Sequence, residues 1–135
     1  MSDRLQDADL IRRQLSRWMQ LDDSYQDEVW VDEILHDDFV FAVGERRFEG
    51  KDSIRSLNKA RGAGPPRGTH ILSEPVIEFS SDGGKALVTT DYVYLTAAEG
   101  QGYQVTTVGQ YTDEFVRDDG GAWRVLSRTN VHLGS

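Results

Sequence analysis

The 135-residue chain contains no cysteine. That absence removes disulfides, thiolate nucleophiles and cysteine-based zinc sites together, and it makes the cytoplasm the expected compartment. Positive charge is also scarce: 15 Lys and Arg stand against 23 Asp and Glu, a formal net charge of −8. A phosphate backbone or an anionic lipid surface would be repelled on average, so the expected partners include no nucleic acid and no membrane. Long apolar runs are missing as well. No stretch approaches the ~20 residues that span a bilayer, and the opening MSDRLQDADL lacks the apolar core of a signal peptide, so neither insertion nor export is expected.

What is present suits a folded domain. Apolar residues make up 38% of the chain and charged ones 28%, with three Trp, five Tyr and five Phe, a composition far from that of disordered chains. This length builds one domain and buries roughly two-thirds of the surface its unfolded chain would expose, enough to enclose a pocket.

Leu10, Ile11, Leu15, Trp18, Met19 and Leu21 recur every three or four residues and predict an amphipathic helix over Asp7 to Asp22. A shorter stripe of Val29, Trp30, Val31, Ile34 and Leu35 predicts a second helix, ending near His36-Asp37-Asp38. FVFAV, the turn GE and RRFEG read as a hairpin, and KDSIRSLNKARGAG as a third helix capped by Asp52 or Ser53 and stopped by glycine. Beyond the GAGPPRG loop, strands are expected at His70 to Phe79, Lys85 to Thr96, Gly102 to Arg117 and Ala122 to His132. Helices first and antiparallel strands after define an α+β fold.

Few motifs carry chemistry. GAGPPRG leads into a strand, and its two prolines lack the N–H groups that a phosphate loop needs. His36, Asp37 and Asp38 point alternately along an extended chain and cannot converge on one metal; His36 at the end of the second helix, meeting its dipole, is the better reading. No pair of candidate ligands has metal spacing, and no metal or organic cofactor is expected. His70 opens an alternating strand on the side of Leu72, facing inward either as a packed core residue or as a base. Deciding between these requires a carboxylate on its Nδ1. Asp22 continues the buried phase of Ile11, Leu15 and Trp18, and Asp23 lies at the edge of that stripe; either could look inward. In WRVLSRTNVH, strict alternation puts Arg124, Leu126, Arg128, Asn130 and His132 on one side, and in a central strand Arg128 would be a buried cation in need of an anion or a ligand oxygen.

The helix ending in LDD, FEGKDSI, THILSEPVIEF and GQYTDEFVRDDGGAWRVLSR together resemble the SnoaL-like proteins of the nuclear-transport-factor-2-like superfamily. The resemblance implies a cone-shaped barrel, a strongly curved and mainly antiparallel sheet with three helices in the N-terminal half. Within that superfamily the chain is most similar to the branch with scytalone dehydratase and lindane dehydrochlorinase, in which an Asp/His dyad abstracts a proton. Spacing then matches Asp23 to the dyad aspartate, His70 to the dyad histidine and Arg128 to a pocket arginine, whereas Trp18 stands where the dehydrochlorinase has a lysine. The resemblance implies a cofactor-independent lyase or isomerase for a small, apolar, cyclic molecule, contacted by Trp18, Asp22, Trp30, Phe41, Tyr92, Tyr111 and Asn130. A non-catalytic binding protein and an oligomeric accessory protein are the alternatives within the same fold. A homodimer or homotrimer is expected, because the strand from Ala86 to Leu95 carries apolar residues on both faces.

Overall fold

Asp3 begins the first helix: its carboxylate accepts from the backbone N–H groups of Leu5 and Gln6, satisfying two donors that the helix itself leaves open. The computed structural model describes residues 3–134. Its elements are α1 (Arg4–Asp23), α2 (Asp27–Glu33), β1 (Leu35–Val43), β2 (Arg46–Glu49), α3 (Lys51–Arg61), β3 (Thr69–Leu72), β4 (Val76–Phe79), β5 (Lys85–Ala98), β6 (Gly102–Arg117) and β7 (Trp123–His132). Among the described residues no helix is long and apolar enough to cross a membrane.

The strands form one sheet in the order β2-β1-β7-β6-β5-β3, with β4 pairing farther along β5. Among the described strands only β1 and β7 pair in parallel. The sheet is open, with β2 at one edge and β3 and β4 at the other, so the expected barrel is a curved sheet that does not close. Ile11, Leu15, Val31, Ile34, Phe39, Val88, Phe115 and Val125 fill the interior between α1, α2 and the sheet's inner face. Asp7 on α1 is tied to the far end of the sheet, accepting from Arg117 and from Trp123 Nε1.

Several boundaries differ from the sequence reading for local reasons. The second helix stops at Glu33, and His36 lies inside β1, where its Nδ1 accepts from the Asp38 N–H; it does not cap the helix, a place taken by Ile34. Gly50, at φ 82°, occupies the N-cap of α3 in place of Asp52 or Ser53. The strand expected from His70 to Phe79 is two strands, broken at Ser73-Glu74-Pro75, since proline cannot donate to a ladder. Leu10 is 41% exposed and falls outside the core.

The largest departure is in β7. Phe115 pairs with Val125 and Glu114 with Ser127, which leaves Leu126 as an extra, bulged residue. Strict alternation therefore fails: Trp123 and Val125 are buried before the bulge, and Arg128 after it. The bulge turns Arg128 inward opposite Asp113, its cross-strand partner. Arg128 Nε and Nη2 donate to the two Asp113 carboxylate oxygens at 2.7 and 2.9 Å, and both side chains are almost wholly out of solvent. The rings of Trp18 and Tyr111 cover the guanidinium, 3.7 and 3.6 Å from its carbon. Burial works against this cation, but the field and hydrogen bonds of Asp113 outweigh it and hold the arginine's pKa above its ordinary value.

A buried pair of this kind contributes little beyond an apolar replacement, yet breaking it strands a charge. Arg128→Met should therefore lose about 3–5 kcal/mol in urea titrations. The Asp113→Leu/Arg128→Met double variant should recover most of that loss. A single variant as stable as the wild type would show that the pair does not hold the floor of the fold.

Candidate functional site

The site begins where α1 ends. Ser24 caps the helix, and Tyr25 takes a left-handed conformation at φ 65°, which turns the chain toward α2. The Tyr25 hydroxyl accepts from the backbone N–H of Arg67, and its ring lies 4.6 Å beneath the Arg67 guanidinium carbon. Arg67 also donates to the Asp22 carbonyl at 2.9 Å and to both Asp27 oxygens at 2.6 and 2.8 Å. Burial opposes the Asp27 charge, but Arg67 and the Trp30 indole, which donates at 3.0 Å, bring its pKa below the usual carboxylate range. One arginine from the proline-containing loop thus fastens the start of β3 to the end of α1. Gly68 completes the placement: a Cβ there would lie 1.8 Å from the Leu95 carbonyl oxygen, so only glycine lets the loop pass.

This anchoring brings Asp23 against His70. Asp23 Oδ2 accepts from the His70 backbone N–H at 2.8 Å, and Oδ1 lies 2.6 Å from Nδ1. An ionised carboxylate only accepts, so the proton in the second contact sits on Nδ1, and in the neutral form of the ring the lone pair is on Nε2. Both side chains are mostly buried. His70 pairs across strands with Tyr94, whose ring centroid is 4.5 Å away, and the rings of Tyr92 and Tyr111 lie at 5.9 and 6.5 Å.

His70 lines a cavity of about 350 Å³ between the helices and the inner face of the sheet. Trp18, Asp22, Trp30, Phe41, Tyr92, Tyr111, Arg128 and Asn130 share that wall with it. Asp23 stands behind His70 and is absent from the lining. The two aspartates have separate tasks: Asp23 binds the imidazole, while Asp22, the one in phase with the buried stripe, accepts from Arg61 Nη1 and Nη2 at 2.8 and 3.1 Å. The residue favoured by helix phase, Asp22, lies on the cavity wall, and the residue favoured by spacing, Asp23, lies on His70.

Tyr92 and Tyr111 stack at 4.1 Å with planes 12° apart, and the Tyr92 hydroxyl donates to Asn130 Oδ1 at 2.7 Å. The glycine facing Tyr92 makes this possible, because a Cβ at Gly109 would fall 2.4 Å from the tyrosine ring. Burial pushes the Tyr111 hydroxyl far above the usual tyrosine range despite Arg128 nearby, so the phenol stays neutral. Arg128 has two of its nitrogens committed to Asp113; Nη1 faces Met19 Sδ at 3.9 Å and is the end free of a carboxylate.

Sequence reasoning gave Met19, Ile54, Leu57, Asn58, Arg61, Thr107 and His132 no place in this wall. The α3 members follow a helical spacing that was readable, but not which face of α3 would cover the cone. The structure also corrects the expectation that no candidate ligands have metal spacing. Ligand atoms of Asp22, Asp23 and His70 all lie within 4.8 Å of one another. Their chemistry does not suit a metal, however: each oxygen of Asp22 accepts from Arg61, and each oxygen of Asp23 accepts from His70, so a cation would have to displace these donors.

Among solved structures, a Mycobacterium tuberculosis protein of unknown function superposes with a TM-score of 0.85 at 21% identity, covering 96% of this chain and 73% of that one. A nuclear-transport-factor-2-like protein with a cystatin-like fold from Novosphingobium aromaticivorans gives 0.81 at 25% identity, covering 97% and 85%. A provisionally named scytalone dehydratase from the same organism gives 0.83 at 19% identity, covering 97% and 87%. No curated protein sequence matches the chain. The SnoaL-like domain model matches residues 3–129, nearly the whole length, and with the open cone and its cavity already in view the chain belongs to the SnoaL-like family.

Proposed function

We propose that the protein is a cofactor-independent lyase or isomerase acting on a small, largely apolar, cyclic molecule. The observation that carries this reading is the 2.6 Å contact between Asp23 and His70 Nδ1 at the edge of an aromatic-lined cavity. In the elimination, His70 Nε2 takes a proton from carbon. The C–H electron pair becomes the new double bond, and the leaving group departs from the neighbouring carbon with its bonding pair. Asp23 holds the imidazole in orientation and offsets the imidazolium charge, after which the proton passes to the leaving group or to water. In an isomerisation the same proton returns to a different carbon. Arg128 through Nη1, with Asn130, attends the oxygen or halide that gains charge, and Trp18, Trp30, Phe41, Tyr92 and Tyr111 hold the apolar body.

General base catalysis supplies about 10² to 10⁴-fold, and positioning in the cavity must supply the rest. Mass spectrometry of the purified protein would identify a retained small molecule, whose turnover then serves as the assay. His70→Ala and Asp23→Asn should each lower kcat by about 10²-fold or more, with the double variant little worse than either, because the pair acts as a unit. Asp22→Asn should cost far less. Full activity in His70→Ala would remove the base from the mechanism, and binding without turnover in the wild type would favour a non-catalytic binding protein.

We also infer a homodimer or homotrimer, with a cytoplasmic location. Ile71, Val93 and Val108 form a continuous row across β3, β5 and β6, extended by Leu133, whose N–H donates to the Val108 carbonyl. Ile71 and Leu133 are each more than half exposed, so this outer face is left to be covered by a second copy. Sedimentation at tens of micromolar should give two or three chains; a monomer would contradict it.

A further inference from the structure

Ser24 caps α1, and Tyr25 is the residue directly after the cap. Two backbone bonds close this helix end: the Gln26 N–H donates to the Leu21 carbonyl at 2.9 Å, and the Tyr25 N–H to the Asp22 carbonyl at 3.2 Å. This double closure places a left-handed residue after the cap, a position that glycine usually takes because it has no Cβ to crowd the backbone. Tyr25 takes it at φ 65°, and among the described residues no other non-glycine residue has a positive φ. A bulky side chain in this conformation is strained, and such residues persist where their surroundings hold them there. Burial does not account for the tyrosine, because it is 55% exposed.

What the side chain does contact is Arg67, and the two short segments form a ring closed at both ends. Asp23 meets His70 at one closure, and the Tyr25 hydroxyl accepts from the Arg67 N–H at 2.8 Å at the other. Pro65 and Pro66, just before, have no N–H to offer, and the Gly68 N–H goes to the Tyr94 hydroxyl at 2.6 Å. Side chains therefore hold this stretch until the ladder with β5 begins at Thr69. We propose that Tyr25 is a positioning residue of the Asp23–His70 pair: its hydroxyl and ring hold Arg67, and through Arg67 they set where β3 begins and how closely His70 meets Asp23. The strained conformation is retained because a helical residue at this position would continue α1 instead of turning back to the loop. The inference rests on the pair being the dyad proposed above, but it concerns the pair's geometry and not its turnover, so either reading can fail alone.

Hydrogen exchange reads the pair without any bound molecule. The His70 backbone N–H and its Nδ1 proton, both directed at Asp23, are followed by NMR beside amides at the centre of β6, whose exchange reports opening of the whole sheet. Tyr25→Phe removes the hydroxyl and keeps the ring, whereas Tyr25→Gly removes the side chain and suits the left-handed backbone better. Relative to the β6 amides, Tyr25→Phe should speed exchange of both His70 protons by about three- to tenfold, the effect of one lost hydrogen bond. Tyr25→Gly should speed it further, although its backbone is the relaxed one. Asp7→Asn is the control: it weakens the contacts with Arg117 and Trp123 at the far end of the sheet and should leave the ratio unchanged. Wild-type protection of His70 in either Tyr25 variant would overturn the assignment, since the tyrosine would then be no more than a strained helix end. The same loss of protection in Asp7→Asn would also overturn it, because any destabilisation would then loosen the pair.

Discussion

The arrangement depends on one carboxylate meeting two donors of one residue. Asp23 accepts from both the backbone and the ring of His70, so the end of α1 fixes the position of β3 and the rotation of the imidazole in a single contact. A one-point ion pair would leave the ring free to swing. Two points, one of them on the backbone, restrict it, and the Arg67 connections to Tyr25, Asp22 and Asp27 keep helix and loop from separating. The fold thus brings together two residues 47 positions apart with geometry suited to proton transfer.

Around this dyad the other buried charges at the site are neutralised in pairs. Asp22 is matched by Arg61, Asp27 by Arg67 and Asp113 by Arg128, each through two hydrogen bonds. Leaving any of these ions unpaired away from water would cost several kcal/mol, so the pairing is a condition for placing so many charges beside an apolar cavity. Its consequence is chemical. Under the mechanism proposed, the lone pair that acts at the cavity wall is that of His70 Nε2, and of the arginine nitrogens Arg128 Nη1 is the one at the wall without a carboxylate partner.

Much of this was legible in the sequence where local periodicity governs. The stripe of Ile11, Leu15, Trp18 and Met19 marked α1, and β6 runs over the residues its alternation implied. The site was legible to the extent that family spacing carried it, which paired Asp23 with His70, while phase alone identified Asp22 as inward. What escaped was set by tertiary partners. Leu126 gives no local sign that it will bulge, and only pairing with β6 shows that Trp123 and Arg128 share a face despite their odd separation. Asp113 shares the inward phase of Tyr111 and Phe115, but what a carboxylate does there shows only when Arg128 is placed opposite it. Asn58 and Arg61 belong to a helix whose burial depends on the sheet it covers, and no periodicity within α3 announces a cavity.

The central claim is a protonation geometry: a proton on His70 Nδ1 directed at Asp23, and a bare Nε2 toward the cavity. Long-range ¹H–¹⁵N correlation of the histidine side chains in the neutral imidazole state reads this directly. The account predicts a protonated, strongly hydrogen-bonded Nδ1 and a pyridine-like Nε2 for His70, with that signature lost in Asp23→Asn. A neutral ring carrying its proton on Nε2 would contradict it, since the nitrogen facing the ligand would then be a donor and not a base.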